Sequence, residues 1–228
     1  MNAQLPLALG FPPEQRFAAF HGQPELRDLV QAVAEATRQD WLYLAGPAGS
    51  GKTHLLLAAC ACAREAGAAA VFLPLATVAG RLGDALAGML SAPALVCLDG
   101  LEAIAGNADD EVALFHAHNA ARQGGARLLY SATAMPAALP FVLPDLVSRL
   151  EQCTRVAIEP LDEAGRRAVL RERAARRGLE LDEAVLDYLF RRVGRDLGGL
   201  TALLDRLDRE SLAAQRRLTV PFLRARLD

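Results

Sequence analysis

The chain has 228 residues, 52% of them apolar, enough for one large domain or two small ones with a real core. A formal net charge of −2 excludes a global basic field for nucleic acid or an anionic membrane. No stretch reads as a membrane span, and the N-terminus lacks the basic start and cleavage site of a secretory signal.

Residues 1–15 hold three prolines, a glycine and no helical period, so they read as a tail. Within it, Gln4-Leu5-Pro6-Leu7-Ala8-Leu9 alternates its leucines. An extended peptide of that kind sets Leu5, Leu7 and Leu9 on one side, with Gln4 as a polar anchor, as linear motifs do when they enter an apolar pocket. An arm packed on its own domain would show the same pattern.

From Phe17 to about Glu159, short apolar runs alternate with helical segments. The runs are Trp41–Leu44, Ala69–Leu73, Ala94–Leu98, Arg127–Ser131 and Thr154–Ile158. Helices are expected at Gly51–Glu65, Thr77–Leu86, Asp109–Arg122 and Leu143–Leu150. Strand and helix in alternation predict an α/β domain, a five-stranded parallel sheet covered on both faces.

The first run leads into Gly46-Pro47-Ala48-Gly49-Ser50-Gly51-Lys52-Thr53, a complete G-x-x-x-x-G-K-[ST] between a strand and a helix. Its glycines let backbone N–H groups close around phosphate oxygens, and the helix start adds positive potential. Lys52 would reach the β- and γ-phosphates of ADP or ATP, and the Thr53 hydroxyl would ligate Mg²⁺. Lys52 is also the only lysine among 25 basic residues. Where arginine is otherwise used throughout, one lysine marks a place that needs a compact ammonium.

Asp99 ends the third run, where an acid would hold Mg²⁺ directly or through water. An efficient ATPase carries a second acid next, to activate water; here Gly100 follows, and Glu102 lies further on. The four cysteines form no CxxC pair or zinc spacing and read as buried thiols, which favours a cytoplasmic setting. His116 and His118 sit two apart on a helix and so point away from one another.

Beyond Pro160 the pattern becomes helical throughout, in four segments: Asp162–Arg177, Asp182–Val193, Asp196–Gln215 and Thr219–Leu227. Asp162, Asp182 and Thr219 are expected N-caps, with Gly178 and Gly194 as stops. The organisation expected is a tail (1–15), an α/β base (16–160) and a small all-helical lid (161–228).

Together these features resemble the AAA+ ATPases of the bacterial replication-initiator (DnaA) group, and within it the regulators that inactivate the initiator. The likeness rests on the P-loop, the Leu98-Asp99…Ile104-Ala105-Gly106 segment, Leu143-Pro144-Asp145-Leu146-Val147-Ser148-Arg149-Leu150, and Leu207-Asp208-Arg209 with Ala214–Phe222. It implies that Arg149 is an arginine finger acting in trans on nucleotide held by DnaA. It also implies that Arg195 senses bound nucleotide, and that Gln4, Leu5, Leu7 and Leu9 bind the DNA polymerase III sliding clamp. Homodimerisation stays open. The family's Asp-Arg pair is replaced by Thr133 and Ala134, so Ser131 or Thr133 would have to serve partly as the sensor after that strand. With the chain ending soon after the lid, no helix-turn-helix is expected and no sequence-specific DNA binding. Three other readings remain: an active AAA+ motor such as a helicase loader using Glu102 or a partner's acid, a small P-loop phosphotransferase, and a clamp-binding adaptor with structural nucleotide only.

Overall fold

The computed structural model describes residues 15–87, 94–193, 197–214 and 218–227. Their contacts divide into two compact units, one running to Ile158 without Pro47–Ser50, the other from Glu159 together with those four residues.

In the first unit, strands β1 (Leu42–Ala45), β2 (Ala70–Pro74), β3 (Leu95–Asp99), β4 (Arg127–Ala132) and β5 (Thr154–Ala157) form one sheet in the order β2-β3-β4-β1-β5. Every pairing is parallel, for example Leu44 with Ser131 and with Val156. Alternate residues feed different cores. Tyr43, Val96, Leu98 and Tyr130 face one layer, while Leu42, Leu44, Cys97 and Leu129 face the other. Helices α1 (Pro24–Ala34) and α2 (Lys52–Glu65) cover the second layer. Helices α3 (Leu82–Leu86), α4 (Ala108–Gly124) and α5 (Pro144–Glu151) cover the first.

Two elements differ from expectation. Helix α1 was not anticipated, although Pro24 stands in its first turn, where a missing N–H costs nothing. Its apolar residues Leu26, Val30, Val33 and Ala34 are buried at helical spacing. The single helix expected over Thr77–Leu86 is a 3₁₀ turn, Leu75–Thr77, and the short α3. Gly80 separates them at φ +80°, and the buried Asp110 carboxylate accepts N–H bonds from Gly80 (2.6 Å) and Leu82 (2.9 Å). Residues satisfied this way have no need of a continuous helical ladder.

The second unit contains α6 (Glu163–Ala175), α7 (Glu183–Val193), α8 (Leu197–Ala214) and α9 (Val220–Leu227), around Leu170, Leu186, Leu189, Leu204 and Leu223. Asp162 accepts from Gly165 N–H at 2.7 Å and Asp182 from Val185 N–H at 2.7 Å, as N-caps do. Thr219 Oγ1 takes the Phe222 N–H at 3.4 Å. Gly178 ends α6 in the left-handed region, and Gly194 lies outside the described residues. Arg167 joins α6 to α7, paired with Asp187 (2.7 Å) and Glu163 (3.1 Å) and lying over the Phe190 ring.

Candidate nucleotide site and the arginine at the opposite edge

Parallel strands put all their C-terminal ends on one edge of the sheet. The P-loop leaves β1 there, Asp99 ends β3, and the segment beginning at Thr133 leaves β4. Gly46 N–H bonds Ala132 O at 3.1 Å, which ties the loop's first residue to that edge. Gly51 adopts φ +95°, and a Cβ there would stand 2.8 Å from the Phe20 ring. The left-handed backbone angle favours glycine, and a side chain there would also have to displace the Phe20 ring. Lys52 is buried at 8% exposure, with Nζ 2.5 Å from Gly46 O. Burial draws its ammonium below the usual lysine range, partly offset by the charges of Glu102 and Asp99.

Thr53 Oγ1 donates to Asp99 Oδ2 at 2.8 Å, and Ser131 Oγ donates to Asp99 Oδ1. Ser131 Oγ in turn accepts the Gly100 N–H at 2.9 Å. Ser131, one of the two residues expected to replace part of the missing sensor, is therefore fully buried and orients the acid. Thr133, exposed, donates its N–H to Glu102 Oε2 at 3.0 Å. A hydroxyl and a carboxylate side by side are hard oxygen donors of the kind Mg²⁺ takes alongside phosphate oxygens. Ser50 Oγ is buried and makes no hydrogen bond among the described residues, which leaves the loop a polar atom without a partner. These residues fit a Mg²⁺-nucleotide. Bound there, it would bring the phosphate charge that Lys52 answers.

Arg149 lies at the other edge. It lines a concavity of about 330 Å³ with Trp41, His118, Arg122, Arg127 and Gln152, among other residues. Trp41, Arg127 and Cys153 mark the N-terminal ends of β1, β4 and β5, roughly 13 Å along the strands from the P-loop edge. Among the described residues no Asp or Glu lines this concavity. Arg127 is committed to backbone, donating to the carbonyls of Ala94, Val33 and Ala34. Arg122 reaches Gln152 at 3.4 Å. Arg149 is half-buried, and its guanidinium makes no hydrogen bond or ion pair among the described residues. His118 is buried there while His116 on the same helix is exposed, as their spacing requires. Cys60, Cys97 and Cys153 are buried and free; Cys62, also free, is half-exposed, contrary to expectation. It occupies the helix face next to Glu35 rather than the one against the sheet.

Two functional features escaped sequence reasoning. Residues 17–20 place Phe20 against Gly51, and His54 Nε2 lies 2.9 Å from Arg16 O, so the segment before α1 lies along the start of α2. Glu111 is fully buried and its carboxylate takes the N–H groups of Gly106 (2.7 Å), Val142 (2.9 Å) and Leu143 (2.7 Å), which anchors the approach to α5. An Asp-Asp-Glu run at a helix start signals dipole pairing, and nothing local distinguishes the one acid that reaches another loop. Gln4, Leu5, Leu7, Leu9 and Arg195 lie outside the described residues.

A parallel sheet in the order β2-β3-β4-β1-β5, a P-loop after β1, an acid closing β3 and a helical unit at the C-terminal end make up an AAA+ fold. Solved structures agree. Domain III of Thermotoga maritima DnaA is similar with a TM-score of 0.77 at 20% identity, over 93% of this chain and 95% of that one. AMPPCP-bound DnaA from Aquifex aeolicus gives 0.69 at 23% identity over 84% of this chain, which spans 64% of that one, less than two thirds of its length. The Thermotoga maritima RuvB branch-migration motor gives 0.67 at 17% identity, over 93% and 70%. Residues 162–227 match the family described as Hda, lid domain. The chain has the fold of the DnaA AAA+ domains, and its C-terminal segment, residues 162–227, is what matches the Hda lid family. Among the described residues no helix is long and apolar enough to cross a membrane.

Proposed function

We infer that this chain is a regulator of replication initiation, which binds ADP or ATP with Mg²⁺ at its P-loop and stimulates hydrolysis of ATP held by DnaA. The nucleotide ligands are Gly46–Thr53 and Asp99, with Arg195 as the lid arginine. Nucleotide sets the shape of this chain, while Arg149 acts on the partner's ATP. Gln4, Leu5, Leu7 and Leu9 dock the chain on the sliding clamp and so confine the reaction to replicating DNA. The organisation that serves this is a tail of residues 1–15, a base of 16–160 and a lid of 161–228.

The observation that carries the reading is the Arg149 guanidinium: on a half-buried residue, without a hydrogen bond or ion pair among the described residues, at the sheet edge opposite its own P-loop. A guanidinium so placed cannot serve its own nucleotide and is available to an anion on a partner. As the γ-phosphoryl group of a partner's ATP transfers to water, negative charge spreads over its oxygens, and the planar fork of arginine neutralises it.

The test is the rate at which DnaA-bound ATP becomes ADP with clamp loaded on DNA. Wild-type protein accelerates it; Arg149→Ala abolishes the acceleration, with ADP binding and clamp binding unchanged. Arginines supplied in trans contribute about 10³–10⁵ in known cases. Full stimulation by Arg149→Ala overturns the assignment.

A further inference from the structure

We propose that Glu102 occupies the place of the acid missing at position 100 and is the carboxylate that positions and deprotonates water for slow hydrolysis of this chain's own ATP. The proposal rests on the reading of the P-loop as an ATP site.

Gly100 sits at φ +83° and ψ 60°, a left-handed step directly after Asp99. A one-turn 3₁₀ helix, Leu101–Ala103, follows and brings the next carboxylate back towards the strand end. Glu102 Oε1 lies 3.8 Å from the point where a Cβ on Gly100 would stand. The carboxyl group therefore lies beside the position from which an acid at residue 100 would project, reached from two residues further along. Its two oxygens have different surroundings. Oε2 accepts the Thr133 N–H at 3.0 Å, while Oε1 makes no hydrogen bond among the described residues. One oxygen is held by backbone and the other is open to water, the arrangement a general base needs.

Position places Glu102 on the same site. The P-loop residue Thr53 donates to Asp99 Oδ2 at 2.8 Å, and the Gly100 step and the Leu101–Ala103 turn follow directly from that acid, so the Glu102 carboxylate stands at the strand end that the P-loop meets. Thr133 contributes through its backbone rather than its side chain, by fixing Glu102.

In the step proposed, the water oxygen forms a bond to the γ-phosphorus as the bond from that phosphorus to the β–γ bridging oxygen breaks. The electron pair of the broken bond leaves with ADP. The water proton passes to Glu102 Oε1 and then to solvent, regenerating the carboxylate. The base sits on an exposed turn and is held through one backbone N–H, so turnover is slower than in a motor whose acid projects from the strand end itself.

Glu102→Gln keeps the shape and removes the charge and the basicity; Glu102→Asp keeps the charge and shortens the reach. Glu102 is exposed, so neither variant removes a core contact. Conversion of bound ATP would be followed with protein in excess, and the affinities for AMPPCP and ADP measured by calorimetry. Glu102→Gln should slow conversion about 10²-fold and raise AMPPCP affinity relative to ADP about fivefold, the effect of removing one negative charge near the γ-phosphate in a solvent-exposed setting. Glu102→Asp should be as slow while keeping the wild-type affinity ratio. Conversion by Glu102→Gln at the wild-type rate, an unchanged affinity ratio in that variant, or a wild-type protein that binds ATP but never converts it, would each overturn the proposal. A wild-type protein that binds neither nucleotide would instead overturn the reading of the P-loop.

Discussion

His118 illustrates how one side chain records its surroundings. Its Nδ1 lies 3.0 Å from the Tyr130 hydroxyl, and its ring meets Trp41 edge-on with centroids 4.6 Å apart. Burial, then the charges of Arg149 and Arg122, pull its pKa from 6.5 down to about 4. The folded state thus resists the proton that the unfolded chain accepts near pH 6.5. Its contribution to stability is complete above that pH and is lost as pH falls towards about 4. Thermal midpoints measured between about pH 7 and 5 should fall more steeply for wild type than for His118→Gln, because the variant has nothing to protonate there. Parallel curves would show that the imidazole is accommodated when charged. Gly100 is the counterpart in backbone terms. A left-handed step costs a residue with a side chain roughly 1–2 kcal/mol, so the geometry that brings Glu102 back also disfavours an acid at position 100 itself.

At the level of elements, the presentation of Arg149 depends on α4 as much as on α5. Glu111, in the first turn of α4, is 0% exposed and holds three backbone N–H groups, two of them in the chain immediately before Pro144. Glu111→Gln puts an amide NH₂ where one carboxylate oxygen accepts, so at least one buried donor faces another donor. The expected loss is about 1.5–3 kcal/mol, the range for a hydrogen bond to a charged group, read as a shift of the urea midpoint. Stimulation of DnaA-bound ATP hydrolysis should fall with it, while ADP affinity stays at the wild-type value because the bonds lost are to Gly106, Val142 and Leu143, none of them in Gly46–Thr53. A midpoint shift worth less than about 0.5 kcal/mol, the size of an ordinary surface substitution, would show that the loop holds itself.

For the whole molecule, the function proposed makes the address and the reaction separable. Changing Leu5 and Leu7 to Ala should weaken clamp binding at least tenfold, since a buried leucine contributes roughly 1.5–3 kcal/mol, and should leave the melting temperature close to wild type. Binding to immobilised clamp and thermal unfolding measure the two effects side by side. A double variant that unfolds would place the tail in the protein's own core and end the clamp assignment. DnaA-bound ATP hydrolysis without clamp should be insensitive to the same change, because Arg149 belongs to the base.

What the sequence by itself determined is what local periodicity and local chemistry carry. Five runs became five parallel strands with edges moved by a residue or so; β1, β3 and β4 are mostly apolar because they are buried on both faces, while the edge strand β5 is mostly exposed and carries Thr154 and Arg155. Asp162 and Asp182 cap the helices they precede because a cap needs only its own three following residues. Gly46–Thr53 was legible for the same reason, as was the acid at the end of β3. Helix α1 was missed because its apolar face has meaning only against α2 and the sheet, and α3 was overextended because Asp110, thirty residues away in sequence, supplies the bonds that let Gly80 break it. Only the tertiary structure decided that Ser131 orients Asp99, that Glu111 steadies the loop before Arg149, and that Glu102 returns beside Gly100 under the Thr133 amide. Each of those contacts joins residues about thirty positions apart. No window of sequence contains both partners; the parallel sheet brings them together by aligning the ends of its strands along a single edge.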